Sequence, residues 1–230
     1  KVIRDSLKKV VGQRATTVLN GIKINDLCRE EEAGLRTRQE LGIPTNAYVI
    51  GNMARITPWK GQELLLNVFA KYAELNQNSY LLLVGSPLFE NDKYFKYLMQ
   101  LIDEYGLGKR VIMPGYRSDL KEIFSAMDIF IYPSLEKDTS PLALLSAISS
   151  GLPVAVTNIK SLKEITDLCP ALDVFDSDDR RNLFSLMEKY VDKGIRDVTG
   201  RKNREAGKMY FDIATHSDKM MKILNLNLSG

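Results

Sequence analysis

Short apolar runs separated by helical patterns constrain the fold of this chain more than any other feature. Two of these runs, Tyr80–Val84 and Ile129–Tyr132, have no charged residue and no polar/apolar alternation. A strand with one exposed face alternates polar and apolar residues, so runs of this kind predict strands that are covered on both faces. We therefore expect a sheet with helices on both sides.

Seven segments have the composition of short strands. They are Thr16–Leu19, Tyr48–Asn52, Tyr80–Gly85, Val111–Pro114, Ile129–Tyr132, Val154–Thr157 and Leu172–Phe175. Between them, apolar residues recur at helical spacing, as in Leu65, Val68, Phe69 and Tyr72 and again in Leu120, Ile123, Phe124 and Met127. The pattern predicts the α/β class, with a doubly wound parallel sheet that resembles a Rossmann fold and binds ligands at the carboxyl ends of its strands.

We divide the chain into three parts. Residues 1–45 form a linker or lead-in segment, with a charged helical stretch from about Asp26 to Leu41. Residues 46–195 form the main domain, and residues 196–230 form a helical C-terminal extension. Towards the C-terminus, the positions expected to be buried are Leu183, Leu186, Tyr190, Met209, Tyr210, Ile213, Met220, Ile223 and Leu224.

Charge and composition argue against several classes of function. The 32 Lys and Arg residues nearly balance the 29 Asp and Glu residues, so the chain lacks the concentrated basic surface of a nucleic-acid-binding protein. Cys28, Cys169 and the single histidine, His216, have no metal-ligand spacing, so we expect no metal and a reducing, cytoplasmic location. No apolar run approaches the length of about 18 residues that a membrane helix needs. Since the first residue is not Met, we interpret the chain as an excised fragment.

Two cations follow the strand predicted at Tyr48–Asn52. The segment Gly51–Gly61 turns at Pro58 and enters a helix, which places Arg55 and Lys60 at the carboxyl end of that strand. A guanidinium binds phosphate through two parallel N–H groups and an ammonium is a compact point charge, so the pair suits a departing diphosphate. The alternative is a pair of ordinary solvated loop charges.

A second segment, Pro133–Ala147, leads from another strand into a helix. We expect Thr139 or Ser140 to cap this helix and Pro141 to lie in its first turn, next to Leu142. The helix N-terminus favours an anion, and the two hydroxyls add hydrogen-bond donors.

Two more residues of this segment are candidates for ligand binding. Asp138 would repel phosphate, so it either contacts a neutral hydroxylated part of the ligand or a developing cation, or only assists capping. Ser146, eight residues later, is either a ligand donor or a small packing residue.

Two weaker candidates follow the next strands along the chain. Gly85 ends one strand, and Gly115, Tyr116 and Arg117 follow another. Glycine lets a backbone approach a ligand closely, and Tyr116 with Arg117 are placed to flank a base. Taken singly, each is also an ordinary turn.

Together these segments resemble the carboxyl-terminal, donor-binding half of retaining glycosyltransferases of family 4, also called group 1, which have the GT-B architecture of two Rossmann-like domains. The resemblance covers about residues 15–195. Four stretches carry it: Leu19–Ile22, Arg55–Gly61, Gly115–Leu120 and Asp138–Pro153.

The resemblance implies roles for the candidate residues. Arg55 and Lys60 would hold the diphosphate of a nucleotide-sugar donor, and the loop after Gly115 would contact the base. The family also has two glutamates separated by seven residues, one near the sugar hydroxyls and one on the ribose. Asp138 and Ser146 stand in their places here, which weakens the expected contact with the ribose.

The implied activity is transfer of a sugar from a nucleotide-diphosphate sugar to a glycan or lipid-linked acceptor, as in polysaccharide biosynthesis, with no cofactor. We expect the fragment alone to be inactive, because the family's acceptor-binding N-terminal domain is missing from it. The alternatives are a degenerate, non-catalytic nucleotide-sugar-binding or scaffold module, and an epimerase or phosphorylase of the same architecture.

The basic stretch Lys1–Arg14 has two interpretations. Its cations surround apolar residues, so it suits either the acidic inner face of a membrane or the surface of the missing domain. We expect it to pack on that domain.

Overall fold

Six strands form one sheet in the part of the chain that the computed structural model describes, which is residues 18–89, 92–136 and 138–228, with 225–228 described by backbone alone. The strands are β1 Tyr48–Met53, β2 Ser79–Val84, β3 Val111–Ile112, β4 Ile129–Tyr132, β5 Val154–Thr157 and β6 Asp173–Phe175. All are parallel, in the order β3-β2-β1-β4-β5-β6. The strand order reverses between β1 and β4, and a crevice forms at such a point outside the carboxyl ends of the strands.

Nine α-helices lie in the same described ranges. They are α1 Glu31–Glu40, α2 Gln62–Leu75, α3 Lys93–Glu104, α4 Leu120–Ser125, α5 Leu142–Ser150, α6 Lys163–Leu168, α7 Arg180–Lys189, α8 Lys193–Tyr210 and α9 Ile213–Leu228. Short 3-10 turns occupy Ile24–Leu27, Pro58–Lys60 and Lys160–Leu162.

Successive residues of the central strands enter cores on opposite faces of the sheet. In β1, Val49 packs with the core that contains α4 and α5, and Ile50 packs with the core that contains α2, α3 and α7. In β4, Phe130 joins the first core, and Ile129 and Ile131 join the second. Burial on both faces explains the lack of alternation in these strands and confirms the predicted doubly wound sheet.

Six of the seven predicted strands are present. The prediction of a strand at Thr16–Leu19 is wrong for the two of its residues that the structure describes. Val18 and Leu19 have no regular structure, and Thr16 and Thr17 lie outside the described residues. The strand predicted at Val111–Pro114 is shorter, since β3 ends at Ile112. Lys1–Arg14 also lies outside the described residues, so its interpretation stays a prediction.

The C-terminal burial pattern is correct only in its first part. Leu183, Leu186 and Tyr190 are buried. The other predicted positions are exposed or half-buried, with exposure at Met209, Ile213, Met220 and Leu224 and partial burial at Tyr210 and Ile223.

On α8, the buried positions are glycines and an asparagine rather than Met209 and Tyr210. Helix α8 packs on α5 through Gly200, Asn203 and Gly207, which are its buried positions. Asn203 donates to the carbonyl of Leu152 at 2.8 Å. A pattern of large apolar residues therefore cannot identify the buried face of α8.

The predicted lead-in and extension also contact the sheet domain. Ile22, Ile24, Leu27 and Ile43 belong to the core on the α5 face. The boundary predicted between residues 195 and 196 falls inside α8. The division into three parts stays a prediction.

The close packing of α8 on α5 predicts a steric effect. A Cβ at Gly200 would lie 2.1 Å from the carbonyl oxygen of Gly151, so Gly200→Ala should lower the free energy of unfolding by about 1–3 kcal/mol. Gly194 is exposed near the start of the same helix, where a Cβ meets only the Asp192 side chain, so Gly194→Ala should change it by less than about 1 kcal/mol. Urea unfolding measures both, and equal values would contradict this packing.

Candidate functional site

Backbone hydrogen bonds join the loops that follow the first three strands. The Gly85 amide donates to the Gly115 carbonyl at 2.8 Å, and the Ile56 amide donates to the Ser86 carbonyl at 3.1 Å. Gly85 has φ +136°, and a Cβ there would lie 2.0 Å from the Ala54 carbonyl oxygen. Only glycine fits at this position, so Gly85 allows the loops to come together at the carboxyl edge of the sheet.

These loops and the start of α5 enclose a cavity of about 690 Å³. Ligand pockets commonly measure about 300–1,000 Å³, so the cavity has room for a nucleotide-sized molecule. Six of the predicted site residues line it: Arg55, Gly85, Tyr116, Arg117, Leu142 and Ser146. The other six, which lie outside its lining, are Lys60, Gly115, Asp138, Thr139, Ser140 and Pro141.

Arg55 supplies a free cation at this cavity. Its backbone carbonyl accepts a hydrogen bond from Gln62 Nε2 at 2.8 Å, which ties the loop to the first turn of α2. The exposed guanidinium has no ion pair or hydrogen bond with any residue that the structure describes. All its donors therefore remain available to a ligand.

The N-terminus of α5 is not capped in the way the sequence predicts. Pro141 is the N-cap residue, and no side chain in the described ranges makes a cap hydrogen bond there. Ser140 has φ +52°, and its hydroxyl accepts from the Asn20 amide at 2.8 Å instead of capping the helix. Thr139 is exposed. The prediction of capping by Thr139 or Ser140 is wrong, and the first N–H groups of the helix stay free of side-chain acceptors.

Two uncharged side chains line other parts of the cavity. Ser146 is 3% exposed, and its hydroxyl has no hydrogen-bond partner among the described residues. Tyr116 is 76% exposed, so one face of its ring is open to a flat ligand.

Arg117 lines the same cavity, but its charge is already paired. Its guanidinium donates to Asp119 Oδ1 at 2.7 Å and to Glu40 Oε1 at 2.5 Å. These bonds, with Asp119 the stronger influence, raise the pKa of Arg117, and they lower the pKa values of both carboxyls. The pairing holds the loop after β3 against α1.

Lys60 and Asp138 form a buried cluster beside the cavity. The ammonium is paired with Asp138 Oδ2, donates to the Tyr132 hydroxyl at 2.7 Å and lies 4.2 Å from the centre of the Trp59 ring. The Tyr132 hydroxyl in turn donates to Asp138. The Lys60 and Asp138 side chains are only 11% and 13% exposed. Burial, and then the bond to Asp138, raises the pKa of Tyr132 far above its usual range, so the phenol remains neutral.

The sequence did not identify the residues that support this cluster. Tyr132 is the last residue of β4, and its hydroxyl is the polar group in an otherwise apolar run, which was the available signal. Ser161, in the 3-10 turn that follows β5, accepts a hydrogen bond from the Asp138 amide at 3.0 Å. No local pattern links Ser161 to Asp138, which lies 23 residues earlier.

A second cavity, of about 540 Å³, lies at the amino edge of the sheet, and its cations are occupied. Arg38 donates to the carbonyls of Thr45, Ala47 and Ala126 and pairs with Asp128 at 2.8 Å. Arg196 donates to two carbonyls at 2.7 Å. The free guanidinium of Arg55 therefore favours the carboxyl edge as the anion site.

Two further features are absent from the described ranges. They contain no group of three or more His, Cys, Asp or Glu residues placed to hold a metal ion. None of their helices has the length and apolar character needed to cross a membrane.

A family model described as glycosyl transferases group 1 matches residues 35–168, which include most of the sheet and the cavity. The chain belongs to this family. The match confirms the resemblance to group 1, whereas the assignment to family 4 stays a prediction.

Two curated relatives of this glycosyltransferase chain are about a quarter identical to it over the aligned residues. It is 26% identical over 215 residues to the Escherichia coli UDP-Gal:alpha-D-GlcNAc-diphosphoundecaprenol alpha-1,3-galactosyltransferase, covering 90% of this chain and 53% of that protein. It is 25% identical to the Escherichia coli O-antigen biosynthesis glycosyltransferase WclY, covering 68% and 41%. The chain thus spans about half the length of these curated relatives.

A solved structure supports the fold. Anabaena Alr3699/HepE in complex with UDP has a TM-score of 0.87 and 24% identity, covering 96% of this chain and 61% of that one. Another structure of the same protein contains UDP-glucose, with a TM-score of 0.83 and 24% identity, covering 91% and 57%. At this identity, the similarity establishes the fold alone, which is that of one Rossmann-like domain of a GT-B glycosyltransferase.

The buried pair predicts an asymmetry between single and double substitutions. Asp138→Asn leaves Lys60 without its counter-charge and should lower the free energy of unfolding by about 3 kcal/mol, as removal of one partner of a buried pair does. Adding Lys60→Met should recover most of this loss, because no unpaired charge then remains. Urea unfolding of the single and double variants measures both effects.

The exposed pair Lys163–Asp167 provides the control. Its side chains are 67% and 52% exposed, so Asp167→Asn should change the free energy of unfolding by about 0.5 kcal/mol or less. Equal losses for Asp138→Asn and Asp167→Asn would show that the Lys60 cluster is solvated rather than buried.

Proposed function

We propose that this chain is the donor-binding half of a retaining glycosyltransferase that transfers a hexose from a nucleotide-diphosphate sugar to a glycan or lipid-linked acceptor. The acceptor would bind to an N-terminal domain outside this chain, so the chain alone would be inactive. The proposed place of action is the cytoplasm, at the inner face of the membrane where a lipid-linked acceptor lies. No cofactor is part of this proposal.

One observation carries the proposal. The free guanidinium of Arg55 and the uncapped N-terminus of α5 meet at one cavity of nucleotide size, where Leu142 opens the helix. Both groups bind anions. Arg55 follows β1 and α5 follows β4, and the strand order reverses between these two strands. A diphosphate between them would contact both, with Tyr116 placed for the base.

The same groups suit the chemistry of sugar transfer. When the bond between sugar and diphosphate breaks, negative charge grows on the departing diphosphate. Arg55 and the amides of α5 would stabilise that charge in the transition state. Gly85, Gly115 and Pro141 would shape the backbone around the donor, and the hydroxyls of Thr139 and Ser140 border it.

Lys60 and Asp138 have a different part in this proposal. Asp138 already balances Lys60, so the pair brings little net charge to the diphosphate. Asp138 Oδ1 has no hydrogen-bond partner among the described residues, and we assign it to a sugar hydroxyl. Lys60 then acts at the diphosphate by exchanging part of its contact with Asp138 for a phosphate oxygen.

Two similar proteins favour uracil as the base of the donor. The galactosyltransferase relative carries UDP-Gal in its name, and the Anabaena protein was solved with UDP and with UDP-glucose. We therefore propose a UDP-sugar for this chain. Arg117, held by Asp119 and Glu40, would contribute to base binding through its backbone and side-chain stem.

Ser146 favours a second candidate function, a non-catalytic nucleotide-sugar-binding or scaffold module. This hydroxyl stands where the resemblance places a carboxylate, and no other described side chain replaces that carboxylate within the cavity lining. A neutral hydroxyl cannot bind two vicinal ribose hydroxyls as a carboxylate does. Weak or absent donor binding would favour this alternative.

Calorimetric titration with UDP, GDP and ADP tests the proposed function. Saturable binding of UDP is expected, and Arg55→Ala should weaken it at least tenfold, about 1.4 kcal/mol, because a charged hydrogen-bond donor to the diphosphate is lost. Arg201 is an exposed arginine on α8, so Arg201→Ala provides the control and should leave affinity unchanged. Equal effects of the two substitutions would contradict the assignment of the phosphate site.

A gain of affinity tests the role of position 146. Ser146→Glu should strengthen UDP binding about tenfold, since a carboxylate in the cavity can accept from both ribose hydroxyls. Ser146→Gln has the same shape without the charge and should give a smaller gain. If neither variant changes UDP affinity, the ribose does not lie at Ser146.

A further inference from the structure

We propose that Asn20 is a positioning residue for the donor site. It holds the loop between Asp138 and Leu142 in the shape that presents α5 to the cavity, and it links this loop to the junction of α8 and α9. Asn20 itself does not line the cavity. The effect on donor binding rests on the proposed function, whereas the effect on the loop does not.

Ser140 adopts a backbone conformation that needs support. Its φ of +52° is the only positive φ of a non-glycine residue in the described ranges. Left-handed backbone is unfavourable for residues with a Cβ, so such a conformation persists only where neighbouring groups hold it. No helix capping by Ser140 offsets this cost, since α5 has no side-chain cap.

Asn20 supplies that support through two hydrogen bonds. Its backbone amide donates to Ser140 Oγ at 2.8 Å, and its side-chain Nδ2 donates to the Ser140 carbonyl oxygen at 2.8 Å. One bond fixes the side chain of Ser140 and the other fixes its peptide group. Together they determine the direction in which the chain enters Pro141 and α5.

The segment that carries Asn20 is itself fixed from the opposite side. The Leu19 carbonyl lies 2.7 Å from His216 Nδ1 of α9. The Ile22 amide donates to the Phe211 carbonyl at 2.7 Å, and the Ile213 amide donates to the Ile22 carbonyl at 3.0 Å. Asn20 and its neighbours therefore connect the α8/α9 junction with the loop between Asp138 and Leu142.

Gly21 shows how closely this segment approaches α9. A Cβ at Gly21 would lie 2.7 Å from His216 Cβ and 2.9 Å from Ile213 Cα. The segment has no room to shift towards α9. Its position thus determines where Asn20 meets Ser140.

Ser140 stands between two groups that the donor site uses. Asp138, two residues earlier, pairs with Lys60, and Leu142, two residues later, begins α5 and lines the cavity. Release of Ser140 from Asn20 would loosen both groups at once. In this proposal, Asn20 maintains the geometry of the site and does not contact the donor.

Amide hydrogen exchange tests the loop without any ligand. Asn20→Ala removes the Nδ2 donor and should speed exchange at Asp138, whose amide donates to Ser161, and at Leu145, whose amide donates to Pro141, by about tenfold. Exchange at Ile50 in β1 should not change, since a local opening leaves the sheet intact. Asn25 is exposed and has no described hydrogen bond, so Asn25→Ala is the control.

Two results of this exchange experiment would overturn the proposal. The first is unchanged exchange at Asp138 and Leu145 in Asn20→Ala. The second is a uniform increase that includes Ile50, which would show a general loss of stability rather than a local role.

Rescue at position 140 tests the link to donor binding. Asn20→Ala should weaken UDP binding about fivefold to tenfold, as loss of a hydrogen bond that orders a site does. Adding Ser140→Gly should restore part of this affinity, because glycine adopts positive φ without the cost. Adding Ser140→Ala should not restore it, because alanine, which lacks the Oγ acceptor just as glycine does, keeps the cost of positive φ.

The possible negative results separate the positioning role of Asn20 from the proposed function. Equal UDP affinities of the Gly and Ala double variants would overturn the positioning role. No UDP binding by the unaltered chain would contradict the proposed function, and the exchange experiment would then decide the role of Asn20 on its own.

Discussion

The site depends on the connection between the loops that follow β1 and β4. These strands are neighbours in the sheet, but their loops are more than 70 residues apart in sequence, and strand order reverses between them. The Leu135 amide donates to the Trp59 carbonyl at 2.8 Å, and the buried pair of Lys60 and Asp138 joins the same two loops. Because an unpaired charge at this depth is costly, each loop requires the other in its observed place.

This pairing divides the cations of the site into two kinds. Lys60 is balanced by Asp138 and lies over an aromatic ring, so it reaches a ligand only by giving up part of that pairing, and Arg117 is paired with Asp119 and Glu40. Arg55 lines the cavity and has no ion pair with any residue that the structure describes. Among these residues, the cavity therefore offers a compact anion the Arg55 guanidinium and the uncapped N-terminus of α5, and both groups suit a diphosphate.

The fold could be predicted from local patterns, and the site only in part. Strands such as Ile129–Tyr132 show burial on both faces directly. Parallel strands place their following loops at one edge, so the sequence could place Arg55, Gly85, Tyr116 and Ser146 near one another. Sequence could not show that Ser140 bonds Asn20, 120 residues away, nor that Arg117 reaches Glu40, 77 residues away. It also missed the buried face of α8, since glycines and one asparagine form it instead of large apolar residues.

The central claim is that a nucleotide binds at the carboxyl edge of the sheet, between Arg55 and α5. Nuclear magnetic resonance with ¹⁵N-labelled chain and increasing UDP tests it most directly. The amide signals of Gly85, Tyr116, Leu142 and Ser146 should shift, whereas those of Tyr48 and Asn78 at the opposite cavity should not. Shifts confined to the amino edge, or none at saturating UDP, would contradict the account.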